Sequence, residues 1–503
     1  MQSSPFDPLL ESNEPPDERE IGLIRRFLGE KRERLHEVKS LPYPTPEINE
    51  LECCIEAHTA LLSPIRRIPG ELLSEIFIHL SYKRKVGRRN IDAPPWLLGH
   101  VCRGWRNAAL STSILWRLVK IYEPQSPALH KICPISMIET QLARSGNATL
   151  EICFNLQFRR STHHHQALLH ALLQHSHRWR VFRVHLRGSA ELVPAFSGMH
   201  NRIPLLCEFL LTQSNMRPGE IHSYLSEAPA LRKLTLTDST LDKESPYIPS
   251  VPWHQITHYR ATCTTQQHFD VLLAAPNLVE CSLGFLWRDW GGDYRAGKHA
   301  VLSHLRRLTW GDSPEPDFLT HVTAGPALND LTVRAPYTAV PSFLHRSSSG
   351  QFLTRLFLDD DYTVTTAEEI VDILKEASAL KTLGVSCGAP RHEMGQVWTA
   401  MTIADEHSGP NILCPQLRSL VYISRNSEQH GEIEASFFPM VHSRCREPLA
   451  GEASFESLRV LAIGSMREFV ESIAQGMRLL PDALDAALLE DEDAAAFLKD
   501  STM

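Results

Sequence analysis

One short template recurs so often along this chain that it constrains the fold more than any other feature: apolar-x-x-apolar-x-apolar. It is clearest in LRKLTL (Leu231, Leu234, Leu236) and LRVLAI (Leu458, Leu461, Ile463). The same spacing fits Trp179/Phe182/Val184, Leu206/Phe209/Leu211, Ile256/Tyr259/Ala261, Leu278/Cys281/Leu283, Leu305/Leu308/Trp310, Leu328/Leu331/Val333, Leu353/Leu356/Leu358, Leu380/Leu383/Val385 and Leu417/Leu420/Tyr422. The last two apolar residues, two apart, share one face of a short strand, while the first turns inward just ahead of it. Each strand needs neighbours to bury that face.

From residue 179 to 380 successive starts lie 22 to 27 apart, an interval in the range of leucine-rich repeats. The segments YLSEAPAL, LLAAPNL, HVTAGPAL and ILKEASAL each read as a helix end, a breaker or small residue, then a strand. Pro229, Pro276 and Pro326 are placed to stop those helices in register. The expected fold class is therefore α/β, with a leucine-rich-repeat-like solenoid over 149–465 and strands on its concave face. The starts at 417 and 458 follow gaps of 37 and 41, so the array loses regularity there and its edge loops are expected to contact a target.

Ahead of the array the pattern is helical. Residues 1–19 carry little hydrophobic pattern and read as a disordered, solvated tail. In 20–62, Ile21, Ile24, Phe27, Leu28, Leu35 and Val38, then Ile48, Leu51, Ile55, Ala57, Leu61 and Leu62, fall at helical spacing on either side of LPYPTP, which predicts a helical hairpin. Pro69 suits a first helical position and Glu71 the first turn, and Leu72, Leu73, Ile76, Phe77 and Leu80 follow as one apolar stripe. Leu97, Leu98, Val101, Cys102, Trp105, Ala108 and Ala109 repeat the helical spacing, and Leu115 and Trp116 close a third short element. Three helices in about fifty residues make a small core, so part of this apolar surface is expected to await a partner. Residues 119–148 read as a linker, and 466–503 as an acidic helical tail ending in LLEDEDAAAF.

Composition excludes some functions. A net charge of −8 gives no overall basic field for nucleic acid. There is no basic-then-apolar leader and no run of about 18 apolar residues, so neither a secretory signal nor a membrane span is expected. The eleven cysteines lack any Cys-x-x-Cys spacing and read as reduced, mostly buried thiols of a cytoplasmic or nuclear protein. His165, His170 and His175 are five apart, which spreads them around a helix, so the run reads as a surface helix and no metal is expected. The basic group Lys83, Arg84, Lys85, Arg88 and Arg89 and the triplet Asp359, Asp360 and Asp361 read as solvated loops. No nucleotide-binding, metalloprotease or nucleophile-elbow motif occurs.

Taken together, Ile68-Pro69 with Glu71, Leu72, Leu73, Ile76, Phe77 and Leu80, then Val101-Cys102-x-x-Trp105 and Leu115-Trp116, closely resembles the F-box over residues 63–118. With the upstream helix and PPWLLGHVCRGWRNAALSTSILW, the chain is similar to F-box proteins abundant in mushroom-forming fungi, whose C-terminal halves are irregular leucine-rich arrays. The resemblance implies a non-enzymatic substrate receptor without cofactors. The F-box would dock the Skp adaptor of a Skp-cullin-F-box ubiquitin ligase, and through it a cullin, while the solenoid holds a protein substrate. It places Ile68, Pro69, Leu72, Leu73, Ile76, Leu80, Val101, Cys102 and Trp105 on the adaptor face or in the core directly behind it. The other reading of the same residues is a scaffold whose F-box-like helices cap the array's N-terminus.

Overall fold

A computed structural model describes residues 4–12, 14–41, 45–82, 94–122, 133–156, 163–187, 190–200, 202–214, 224–237, 250–286, 297–311, 315–360, 366–387, 391–403, 412–424, 434–445 and 455–465. The chain divides into two compact units between Phe182 and Arg183.

The first unit opens with three helices, α1 (Asp7–Glu11), α2 (Glu18–Lys39) and α3 (Pro46–Leu61). Asp17 starts α2 through a capping box with Glu20, which satisfies two amide donors that a helix end otherwise leaves bare. The two long helices run antiparallel. Ile24 and Leu28 of α2 share a core with Leu61 of α3, the Phe27 and His58 rings lie 4.7 Å apart, and Arg34 pairs with Glu47 near the connection. The expected hairpin forms, but residues 1–19 are not simply a solvated tail. Phe6 is buried in the same core, and the Arg66 guanidinium donates to the carbonyls of Leu9 and Ser12.

Next come α4 (Gly70–Tyr82), α5 (Arg103–Ser111), β1 (Leu118–Tyr122), α6 (Ile135–Arg144), β2 (Leu150–Leu156), α7 (His163–Leu173) and β3 (Trp179–Arg187). The span 119–148, expected as a linker, instead carries β1 and α6, and β1 pairs in parallel with β2. Trp116, Val119 and Ile121, all buried, obey the repeat template, and Val119 and Ile121 stand opposite Ile152 and Phe154. The array thus begins at Trp116, well before the expected boundary at 149. The signal escapes a single-sequence scan because Thr149 fills the first template position of the next strand.

In the second unit the strands are β4 (Glu208–Ser214), β5 (Lys233–Thr237), β6 (His258–Cys263), β7 (Glu280–Phe285), β8 (Ala300–Leu302), β9 (Arg307–Trp310), β10 (Val322–Ala324), β11 (Asp330–Arg334), β12 (Arg355–Asp360), β13 (Thr382–Cys387), β14 (Ser419–Ser424) and β15 (Val460–Ser465). Apart from β8 and β10, which pair with each other, each strand lies parallel beside the next. Template positions coincide with register. Phe209, Leu234, Tyr259, Cys281, Leu308, Leu331, Leu356, Leu383, Leu420 and Leu461 form one continuous row.

In this unit the leading template residue is buried at every strand that follows the template, and a turn seats it. The amides of Leu231, Ile256, Leu305, Leu328, Leu380 and Leu417 each donate to the carbonyl three residues back. Gly325 sits in one such turn because a Cβ there would come within 2.6 Å of the Ser303 carbonyl oxygen.

The helices of this unit are α8 (Thr265–Ala274), α9 (Val340–Ser347), α10 (Ala367–Glu376), α11 (Arg391–Met401) and α12 (Glu434–Cys445). The expected helix ends before Pro276 and Ser378 are present as α8 and α10. Before Pro326 the expectation fails. Val322-Thr323-Ala324 forms β10, a strand that suits its β-branched residues, and it pairs with β8. The expected acidic tail, 466–503, lies outside the described residues.

Candidate docking surface

The sequence reads Leu72, Leu73, Ile76, Phe77 and Leu80 as one stripe, but on α4 it splits in two. Leu73 and Phe77 turn inward with Leu98, Ala108, Ala109, Leu115 and Trp116 to form the module's core. Leu72, Ile76 and Leu80, at i, i+4 and i+8, stay 56%, 45% and 48% exposed. Burying a large aliphatic side chain is worth about 1.5–3 kcal/mol, so three left open in one row mark a surface with binding energy in reserve.

The remaining sequence-named residues sort cleanly. Val101 is 54% exposed and Pro69 is exposed, so both are available to a partner. Pro69 stands one residue ahead of α4 instead of inside it, its carbonyl accepting the Leu73 amide. Ile68 and Trp105 pack on the core, with the Trp105 ring 5.0 Å from Phe77. Cys102 has a third role: it is the N-cap of α5, and its Sγ accepts the Trp105 amide at 3.4 Å. Sulfur is a weak acceptor, so Cys102→Ser is expected to raise thermal stability by about 0.5–1 kcal/mol, read as an upward shift of the melting temperature.

Three exposed apolar residues of the module lie outside the template read from sequence: Ile65, Leu110 and Ile114. Leu97 is exposed too. Helical spacing alone cannot tell such residues from core ones, because the distinction depends on which side the next helix covers.

The module is fastened to the first strand pair. Arg144, at the end of α6, lays its guanidinium against the rings of Trp96 and Trp116, at 4.9 and 4.5 Å from their centroids. Gln141 donates from its amide to the carbonyls of Trp116 and Leu118. Trp116 itself donates from Nε1 to the Ala109 carbonyl. A chain ended at Glu123 removes α6 and β2 from this arrangement. It is expected to lose the near-ultraviolet circular dichroism of the packed Trp96 and Trp116, whereas a chain ended after β3 keeps it.

The other candidates read from sequence lie elsewhere in the fold. His165 is buried on α7, His170 is exposed, and His175 lies past the helix end, where burial and then the neighbouring Arg178 charge lower its pKa. The helix is more deeply packed than a surface helix, since Leu168, Leu169, Leu172 and Leu173 are buried with His165. Asp359 is not in a solvated loop. It is buried at the end of β12 and pairs with Arg334 at 3.0 Å. Among the described residues no group of three His, Cys, Asp or Glu is placed to hold a metal, and no helix is long and apolar enough to cross a membrane. No disulfide joins the ten cysteines whose side chains are described, and of these only Cys153, Cys263, Cys281 and Cys414 are buried, fewer than expected. Residues 83–89 lie outside the described residues.

No family model matches the chain, and no curated protein matches it.

Proposed function

We propose that this protein is the substrate-recognition subunit of a Skp-cullin-F-box ubiquitin ligase, with the 63–118 module docking the Skp adaptor and the leucine-rich-repeat-like solenoid holding a protein substrate. The observation that carries the reading is the open row Leu72, Ile76 and Leu80 on α4, with Val101 exposed beside the same small core. Aliphatic residues of a helix laid into a partner's groove are the usual anchors of such interfaces. The core behind them, Leu73, Phe77, Leu98 and Trp116, holds α4 rigid, so little ordering entropy opposes association.

The second reading, a scaffold whose F-box-like helices cap the array, is favoured by one observation. Trp116 serves both the helical core and the first repeat template. Adaptor binding separates the two. Co-expressed with a Skp adaptor, the full chain is expected to co-elute with it as a stoichiometric complex on size exclusion. Separate elution of two folded proteins would leave the capping scaffold as the function.

A further inference from the structure

Within the second unit the sheet face opposite the buried template rows changes character along the strands. From β4 to β12 one register row reads Glu208, Lys233, His258, Glu280, Arg307, Asp330 and Arg355. Its charges answer one another: Arg307 reaches Glu280 at 3.4 Å and Asp330 at 3.1 Å, and Arg355 reaches Asp330 at 3.8 Å. Such a ladder leaves little net field for a ligand to meet.

Beyond Arg355 the ladder stops. The same row continues as Thr382 and Ser419, and the next row out reads Phe357, Gly384 and Val421. Phe357 lies across Gly384, where an ideal Cβ would overlap its ring. The absent side chain lets the aromatic ring lie flat on the sheet. At the leading edge of these strands the residue ahead of each strand is basic. Lys381, Arg418 and Arg459 stand one residue ahead of β13, β14 and β15, in immediate succession, joined by Arg418 N–H to Lys381 C=O and Arg459 N–H to Arg418 C=O at 2.9 and 2.7 Å. Neighbouring strands are about 4.8 Å apart, so three cations span roughly 10 Å. Glu456 pairs with Arg418, its Oε1 2.7 Å from Nη2. Lys381 and Arg459 are both exposed, and no carboxylate pairs with either among the described residues.

Like charges set side by side in register oppose folding, and most of this sheet avoids them. We infer that the β12–β14 face and its basic edge form a docking surface for an extended segment of another protein, with an apolar side chain over Phe357 and Gly384 and flanking Asp or Glu residues at Lys381 and Arg459. The inference rests on the substrate-receptor reading and names the chemical class of the segment held.

Selection of a random dodecapeptide display library on the full chain tests it. Enriched peptides are expected to place acidic residues next to one or two apolar ones. Synthetic copies are expected to bind about tenfold or more weaker to the double variant Lys381→Glu, Arg459→Glu, and to weaken as salt rises. Both positions are exposed, so the variant keeps its melting temperature, and it keeps adaptor co-elution, which reports on the first unit alone. Loss of co-elution in the unaltered chain would strike the receptor reading without touching the peptide result. Enriched peptides without acids, no enrichment, or equal binding to the double variant would each overturn the inference. So would a tenfold gain in peptide affinity on deleting 466–503, since the surface would then belong to the chain's own acidic end.

Discussion

Replacing Ile76 and Leu80 together by glutamate is expected to weaken adaptor binding by about a hundredfold or more while leaving the fold intact. Anchor residues at an interface centre typically cost about 2 kcal/mol or more each when truncated, and a carboxylate adds desolvation to that loss. Neither side chain contributes to the core, for both are close to half exposed and point away from Leu73 and Phe77. The melting temperature should therefore shift little. The neighbouring substitution Phe77→Ala behaves oppositely. Phe77 is fully buried against Trp105, so its removal is expected to cost about 3–5 kcal/mol of stability. Titration calorimetry with the adaptor and thermal melting of both variants separate the two effects. Unchanged affinity in the glutamate pair would remove α4 from the interface.

The second large effect concerns a residue that no sequence pattern marks. Arg444, at the end of α12, is fully buried, and burial lowers its pKa from the ordinary guanidinium value. Its donors hold three carbonyls: Nε to Met401 at the end of α11, Nη1 to Cys414 and Nη2 to Leu413. The positive φ of 47° at Cys414 belongs to the same turn, which seats Leu417. Arg444→Ala leaves these carbonyls buried without donors, at about 1–3 kcal/mol each before relaxation. A net loss of about 3–4 kcal/mol is expected, read as hydrogen exchange at Leu420 and Tyr422 accelerating by about two to three orders of magnitude. Arg444→Lys restores only part, because an ammonium lacks the planar fork. Arg178 and Arg346 do similar work. Arg178 donates to Ser145 Oγ and the Ala148 carbonyl, and Arg346 to the carbonyls of Leu319 and Val322. In each case the guanidinium joins carbonyls of one repeat to the turn or helix of its neighbour.

Some parts of the molecule were legible in the sequence and others were not. The template was legible because its three apolar positions answer to one cause, strand register, and register repeats. Leu234, Leu308 and Leu383 occupy equivalent places for the same reason. The arginine clamps were not, since an arginine that caps carbonyls looks like any charged residue near a helix end. The same limit hid the joint between the module and the array. Trp116 closes one pattern and starts another, and only the positions of Arg144 and Gln141 reveal that both hold. In the candidate surface, residue type was legible but orientation was not. Leu72 and Leu73 are the same amino acid in successive positions, and one faces solvent while the other faces Phe77. Cys102 reads as an apolar position by spacing and acts as a helix cap in space. Three-dimensional context also overrode local pattern at Val322-Thr323-Ala324, where β-branching and the β8 partner outweighed the helical reading.

The proposed role rests most heavily on the open row of α4, and hydroxyl-radical footprinting of the full chain with and without purified Skp adaptor tests it most directly. On adding adaptor, oxidation of Leu72, Ile76, Leu80 and Val101 is expected to fall several-fold, while Leu23, Leu205 and Phe352, equally open elsewhere, stay as reactive as before. Undiminished oxidation of the first four in a saturated mixture would contradict the assignment of α4 as the docking face.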